Sequence, residues 1–315
     1  MTRQSTAVIG TGWFGRQHVR NLVTLSDLAA ICDIDAQVAE SVSQEYHLNK
    51  YTDYKEMLEN ERLDSVTIAT PPQVIPQIAL DCAAKGVNVL MEKPCATALS
   101  DLNPLFEYQD SVRIMPGFVE LFNPVMDDIK TNLKGLGEIL TIDSSRIGLF
   151  AKRNWGLGVM LDLGLHDVYL HRELAKLAYG DEGASVLQVT SALKYLDPEE
   201  EKYEDAIFVL MKFHKIISCI NANWVTPSKI RRLKITGTDA ALEADLLSGA
   251  IKKITGEDLR GTNARAVETS IIPFNREEPL KRELDCFLNQ DQEPPINLQD
   301  AYEVLKISLQ ALNQI

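Results

Sequence analysis

The stretch Ala7-Val8-Ile9-Gly10-Thr11-Gly12-Trp13-Phe14-Gly15 decides how the first third of the chain folds. Thr6–Gly10 is a short apolar run that reads as a buried parallel strand. It ends in a GxGxxG turn that opens a helical stretch, about Gly12–Leu25. Gly10 permits the tight turn, Gly12 lets the backbone approach a pyrophosphate, and Gly15 lets the helix pack close to the sheet. A helix start offers unpaired N–H groups and a partial positive charge to phosphate. Asp33 closes the second strand, 18 residues after Gly15. Strand, turn, helix and acid in that order predict a dinucleotide site rather than a bare glycine turn.

A carboxylate at Asp33 can hydrogen-bond both hydroxyls of an adenosine ribose and would repel a 2′-phosphate. Ile34, Asp35 and Ala36 follow, with no Arg or Lys to receive that phosphate. The expected cofactor is therefore NAD rather than NADP. The plainer alternative is that Asp33 only caps a turn. The candidate cofactor residues are Gly10, Thr11, Gly12, Trp13, Phe14, Gly15, Asp33, Ile34, Thr70, Pro71, Glu92 and Lys93.

Outward from this turn, strand and helix signals alternate. Strands are expected at Leu28–Cys32, Ser65–Thr70, Val87–Met91 and Arg113–Phe118. Helices are expected at Ala36–Tyr46, Asp53–Asn60, Val74–Lys85 and Leu99–Tyr108. Such alternation implies right-handed crossovers and a doubly wound parallel sheet. After about Asn123 the pattern changes. A helix at Pro124–Leu133, a strand at Glu138–Ile147 and a helix at Asp162–Ala178 precede closely spaced strands. These are Val186–Tyr195, Ala206–Phe213, Ile216–Trp224, Arg231–Gly237 and Ala240–Leu246, with short hairpin loops. The reading is an α/β chain: a doubly wound domain over 1–121, then an α+β domain over 122–315 with a mainly antiparallel open sheet. Helices at Pro279–Leu288 and Leu298–Leu312 close it, the last a candidate to pack back on the first domain.

The chain has 315 residues, room for about two domains at roughly 150 residues each. Its net charge is −13, which repels a phosphate backbone and argues against nucleic-acid binding. No apolar run approaches the roughly 20 residues that span a bilayer, so no membrane partner is expected. The five cysteines are scattered, odd in number and without zinc spacing, and the polar start leads straight into a strand. These features predict free thiols in the cytoplasm. The five histidines also lack zinc spacing, so no metal is expected.

Two distant stretches carry chemistry. Val89-Leu90-Met91-Glu92-Lys93-Pro94 lies at the carboxyl end of a parallel strand, the edge where open α/β sheets bind ligands. Lys93 there is a candidate proton donor or acceptor beside a nicotinamide. The Lys93–Pro94 bond is also a site for a cis peptide. A surface lysine after a strand end is the plain alternative. In the second stretch, Gly158–Asp167, Asp162 and His166 stand four apart and share a helix face. His166 can take a proton from an alcohol, and Asp162 can orient substrate. An N-cap beside a core histidine is the alternative there.

At these residues the chain resembles the Gfo/Idh/MocA oxidoreductases. The resemblance covers the Gly10–Gly15 turn with His18, then Ala69-Thr70-Pro71-Pro72, Glu92-Lys93-Pro94, Gly117-Phe118, Phe122-Asn123-Pro124 and Asp162-x-x-x-His166. It implies a catalytic triad of Lys93, Asp162 and His166, and an N-terminal Rossmann domain. It also implies an open antiparallel sheet whose outer face often forms the contact of a homo-oligomer, a dimer or tetramer. The activity implied is hydride transfer between a sugar hydroxyl and NAD. A narrower resemblance, through Asn223–Arg231, points to enzymes that oxidise the 3-hydroxyl of nucleotide-activated amino sugars. It makes Trp224, Lys229 and Arg231 candidate substrate residues, the cations for a diphosphate and the indole for stacking, and Arg146 is a further candidate. The plain alternative is an edge strand with solvated charges and a core tryptophan. Two positions depart from the family, Ile75 where His is frequent and Leu121 where Arg is frequent. A free-sugar or inositol dehydrogenase, a ketosugar reductase and a non-catalytic NAD-binding sensor are the rival readings.

Overall fold

The computed structural model describes residues 3–149, 156–196, 203–257, 265–272 and 277–313. By its internal contacts the chain divides into two units. The first comprises Met1–Val119 and Glu278–Leu305, the second Glu120–Glu277 and Lys306–Ile315. The segment Glu278–Leu305 thus groups with the N-terminal part; the sequence places 122–315 in one domain, with its last helix a candidate to pack back on the first.

The first unit is built on six parallel strands: β1 (Ser5–Ile9), β2 (Asp27–Cys32), β3 (Asn49–Tyr51), β4 (Ser65–Ile68), β5 (Asn88–Glu92) and β6 (Ile114–Gly117). Their order is β3-β2-β1-β4-β5-β6. The order reverses beside β1, so the crevice for a dinucleotide opens at the carboxyl ends of β1 and β4. The central strands are buried on both faces, as Ala7, Val8, Val66, Ile68, Val89 and Leu90 show. That is why they read as continuous apolar runs. The crossovers are α1 (Trp13–Leu25), α2 (Ala36–Tyr46), α3 (Tyr54–Asn60) and α4 (Ile75–Ala83). Between β5 and β6 the expected helix is instead two short 3₁₀ segments, Leu99–Asp101 and Asn103–Tyr108. Pro104 brings no N–H and breaks a longer α-helical ladder there.

The second unit carries α5 (Pro124–Leu133), β7 (Ile139–Ile147), α6 (Leu165–Gly183), β8 (Val186–Lys194), β9 (Ala206–Phe213), β10 (Ile217–Asn223), β11 (Ile230–Gly237), β12 (Ala240–Asp245), β13 (Ile251–Glu257) and β14 (Arg265–Ile272). They form one sheet, ordered β14-β13-β12-β11-β7-β10-β9-β8. All its pairs are antiparallel except β7 with β10. α6 covers one face: Leu170, Leu174 and Ala175 are buried with Ile142, Val209 and Ile220. Tyr179 and Gly180 break the helix near its end, Gly180 at φ +73°.

α7 (Pro279–Leu288) belongs to the first unit, where Arg113, just before β6, collects its end. Arg113 Nη1 donates to the carbonyls of Cys286, Phe287 and Asn289, and Nη2 to that of Gln292. The Cys286 and Phe287 carbonyls are among the orphans that a helix C-terminus leaves. α8 (Leu298–Ala311) is the last element and is divided at Leu305. Among the described residues no helix is long and apolar enough to cross a membrane.

Candidate active site

In the first unit the glycine turn has the stereochemistry its pattern demands. Gly10 has φ +85°, and a Cβ on it would run into the carbonyl oxygen of Ala69 and the methyl of Thr70. A Cβ on Gly15 would fall on the carbonyl oxygen of Gly10, so α1 meets the turn backbone to backbone. At Gly12, by contrast, a Cβ would meet nothing within 4 Å. Gly12 is the N-cap of α1, with no side-chain cap and no acid in the first turn, so the helix start is open to an anion. Trp13 is 62% exposed beside it.

Asp33 ties this turn to the next crossover. Its Oδ2 accepts from Thr11 N at 2.7 Å and from Thr11 Oγ1 at 3.0 Å, and its Oδ1 accepts from Asp35 N at 3.0 Å. Asp35 in turn caps α2. Asp33 therefore does organise turns, while remaining partly exposed with acceptor capacity to spare. The exposed Ile34 follows it. Thr70 Oγ1 is buried without a hydrogen-bond partner among the described residues, at the same sheet edge and just ahead of Pro71. An open helix start, an unfilled space at Gly12, an acid at the end of β2 and an orphaned hydroxyl together fit an NAD molecule along this edge.

Lys93 follows β5 and is half-buried, and the Lys93–Pro94 bond is cis. Glu92 is buried beneath it. Its Oε1 meets His18 Nε2 at 2.7 Å, and its Oε2 accepts the Lys93 N–H at 3.1 Å. Glu92, expected among the cofactor residues, holds the turn through these two contacts. Phe14, also expected there, packs edge-on against His18.

In the second unit Asp162 lies in a π turn, Met160–Gly164, and His166 at the second residue of α6. π turns are rare, and many occur at functional sites. Glu204 pins the start of this turn: its Oε1 accepts from Met160 N at 2.7 Å, and its backbone carbonyl accepts from Val159 N. A Cβ on Gly158 would strike the Glu204 carboxylate. His166 is buried, with Nδ1 2.6 Å from Tyr169 Oη. That hydroxyl oxygen also accepts from Glu120 N at 3.1 Å. The Tyr169 hydroxyl can donate to Nδ1 or accept from it, according to the imidazole tautomer.

Two candidate substrate residues turn out to be interior. Arg146 is 1% exposed. It donates from Nε and Nη2 to Asp167 at 3.0 and 3.2 Å and from Nη1 to Glu120 Oε1 at 3.0 Å. Burial alone would pull its pKa down; the Asp167 and Glu120 carboxylates overcome that and hold it charged. Alternation along β7 puts Arg146 on the face covered by α6, which the sequence pattern did not reveal. Trp224 is buried too, and its Nε1 donates to Asp205 Oδ1 at 2.6 Å, so its indole is not offered for stacking. The other two differ. Arg231 Nη1 reaches Glu120 Oε1 at 2.6 Å while its side chain stays 30% exposed. Lys229 is exposed, and its pKa is lowered, first by the Arg231 charge and then by partial burial.

Sequence reasoning missed Tyr169, Glu120 and Glu204. Tyr169 is three residues after His166, a spacing that marks helix neighbours and was available to be read. Glu120 and Glu204 carry no local signal. No group of three or more His, Cys, Asp or Glu among the described residues is placed to hold a metal.

Residues 5–115 match the model of an oxidoreductase family with an NAD-binding Rossmann fold, and residues 135–243 match the C-terminal domain of the same family. A UDP-N-acetylglucosamine 3-dehydrogenase of Acidithiobacillus ferrooxidans is 23% identical over 92% of this chain and 89% of its own length. Its solved structure superposes with a TM-score of 0.86 at 21% identity, over 100% of this chain and 98% of that one. The NAD-dependent scyllo-inositol 2-dehydrogenase of Bacillus subtilis is 28% identical over 63% of this chain and 60% of its own. The WlbA dehydrogenase of Bordetella pertussis, solved with NADH and UDP-GlcNAcA, has a TM-score of 0.80 at 18% identity over 99% and 96% of the two chains. At these identities the structural likeness is one of fold. With both halves matched by its models, the chain belongs to the Gfo/Idh/MocA family of oxidoreductases, which bind NAD on a Rossmann fold.

Proposed function

We propose that the protein moves a hydride between a secondary alcohol of a nucleotide-activated sugar and NAD, at the 3-hydroxyl as in the UDP-N-acetylglucosamine 3-dehydrogenase it is similar to. The observation that carries the nucleotide part is the Lys229–Arg231 pair: Arg231 is ion-paired with Glu120, while Lys229 is exposed, makes no ion pair among the described residues and has its pKa lowered first by the Arg231 charge. A sugar diphosphate supplies the missing anion.

NAD would lie on the Gly10–Gly15 turn with its ribose at Asp33, where it supplies the hydride acceptor. His166 takes the hydroxyl proton at Nε2, and Tyr169 holds the ring through Nδ1 and stabilises the imidazolium. Lys93 polarises the forming carbonyl, and Asp162 orients the substrate. In the reductive direction the same groups return the proton. The five thiols are free, which supports a cytoplasmic setting. The outer face of the second unit's sheet exposes Phe208, Leu210 and Ile217 on adjacent strands. We assign this face to a homo-oligomer contact. Light scattering should return a mass of two or four chains, and a single-chain mass would exclude the assignment.

The test is NADH formation with NAD or NADP and a panel of UDP-sugars, free hexoses and inositols. NAD and a UDP-sugar should give turnover, and Lys93→Ala should lower it by about a thousandfold or more. Lys229→Ala should raise KM for the UDP-sugar about tenfold with kcat kept, the mark of lost ground-state binding. Turnover of inositol or hexose indifferent to Lys229 would replace the nucleotide sugar by a free polyol. NAD binding with silence across the panel would point to a ketosugar reductase or a sensor.

A further inference from the structure

α7 carries a carboxyl that no step above uses. Glu283 is fully buried, and neither of its carboxylate oxygens has a hydrogen-bond partner among the described residues. The charged group it faces is Glu92. Glu92 is the centre of the arrangement, since it meets His18 through Oε1 and the Lys93 N–H through Oε2. It has little slack: a Cβ on Gly117 of β6 would lie 3.1 Å from its carboxyl. His18 is fully buried as well, and its Nδ1 has no partner among the described residues. Three buried titratable groups, from α1, β5 and α7 of one unit, are thus linked: α7 packs on α1, His18 of α1 contacts Glu92, and Glu92 acts on Glu283. One of them holds the backbone of the turn that carries Lys93.

The other charges around α7 are engaged elsewhere. Arg20 of α1 pairs with Glu278 at the helix start, and Arg113, just before β6, is held by four carbonyls at and beyond its end. On α7 itself Lys281 and Asp285 are exposed and Arg282 is half-buried. The Cys95 thiol is pushed up by burial and then by Glu92 and Glu283. Cys286 is raised by burial first, with Arg113 and Glu283 acting in opposite directions. Burial first, and Glu92 second, push Glu283 well above the usual carboxylate range.

We propose that Glu283 is the positioning residue of the Glu92–Lys93 turn: it packs against the His18–Glu92 pair as a neutral acid, and its ionisation sets two buried like charges against each other and displaces the turn from the cofactor. This rests on the cofactor reading above. The sign follows from proton linkage. A carboxyl with a raised folded pKa binds more protons when folded than unfolded. Its contribution to stability is full below the unfolded value of about 4.3 and is lost as pH rises through the folded value. The turn, and cofactor affinity with it, should weaken over the same upward range.

The experiment compares wild type with Glu283→Gln, a neutral isostere that cannot ionise. An infrared difference spectrum of the two, taken without cofactor near neutral pH, should show the carbonyl stretch of one protonated carboxylic acid. NADH affinity of wild type should fall about tenfold between about pH 6 and about pH 10, while Glu283→Gln holds within about twofold. A merely space-filling Glu283 would not separate the two pH profiles. Parallel profiles, or no acid band, would overturn the proposal. Wild type that binds no NADH at any pH would overturn the cofactor reading, and with it the positioning claim. The band still decides whether Glu283 is the neutral acid.

Discussion

Replacing Arg146 by Met is expected to cost about 3–5 kcal/mol of stability, read as a lower urea midpoint at unchanged slope. Arg146 lies between two carboxylates in a closed set, Asp167–Arg146–Glu120–Arg231, with two charges of each sign. Among the described residues the Glu120 carboxylate is otherwise hydrogen-bonded by the Asn123 amide and by Arg231. Burial would raise its pKa, yet Arg146 and Arg231 keep it below the usual range. Without Arg146, Asp167 loses both donors of its fork and Glu120 keeps one cation. Desolvation of an unpaired carboxylate is what makes the single change expensive. The double change Arg146→Met with Asp167→Leu should recover part of the loss, because it removes a buried charge with its partner. A residue that only contacts substrate would behave otherwise, with an unchanged midpoint and a raised KM. A stability change below about 1 kcal/mol would return Arg146 to the substrate side.

Gly15→Ala should lower NADH affinity about a hundredfold and destabilise the first unit by about 1–3 kcal/mol. The new methyl would land on the Gly10 carbonyl, and backbone on both sides leaves nothing flexible to yield. α1 must then lift from the turn, and its N–H groups leave the phosphate position together. Gly12→Ala is the informative partner. Its methyl meets no protein atom, and φ −62° is ordinary for alanine. The thermal midpoint should stay within about a degree or two while NADH affinity drops about tenfold or more, because the methyl fills cofactor space. If Gly12→Ala bound NADH like wild type, the pyrophosphate would not lie on this turn.

The periodic parts of the first unit were legible because each crossover begins and ends with local chemistry. Asp35 and Asp53 cap α2 and α3, and Gly86 at φ +78° ends the segment after α4. β3 is only three residues long and pairs solely with β2, too short for a pattern. In the second unit the hairpins β9–β10 and β11–β12 show in their short loops. The parallel pairing of β7 with β10 does not show, because α6, β8 and β9 intervene and no local rule spans that distance. β13 begins Ile251-Lys252-Lys253 and has a register shift at Thr255/Gly256, so its alternation is hidden.

The sequence by itself determined the dinucleotide turn, the acid after β2, the class of each sheet and the residues whose chemistry suits hydride transfer. Those features rest on backbone conformation and short-range spacing, which neighbouring residues dictate. Only the tertiary structure decided which charges are working interior pairs and which face outward. Arg146 and Arg231 look alike in the chain, and burial is a property of what packs over a strand. The same holds for Glu283, whose buried carboxyl has no hydrogen-bond partner among the described residues and faces Glu92 from a segment nearly two hundred residues away, a juxtaposition that no local pattern encodes.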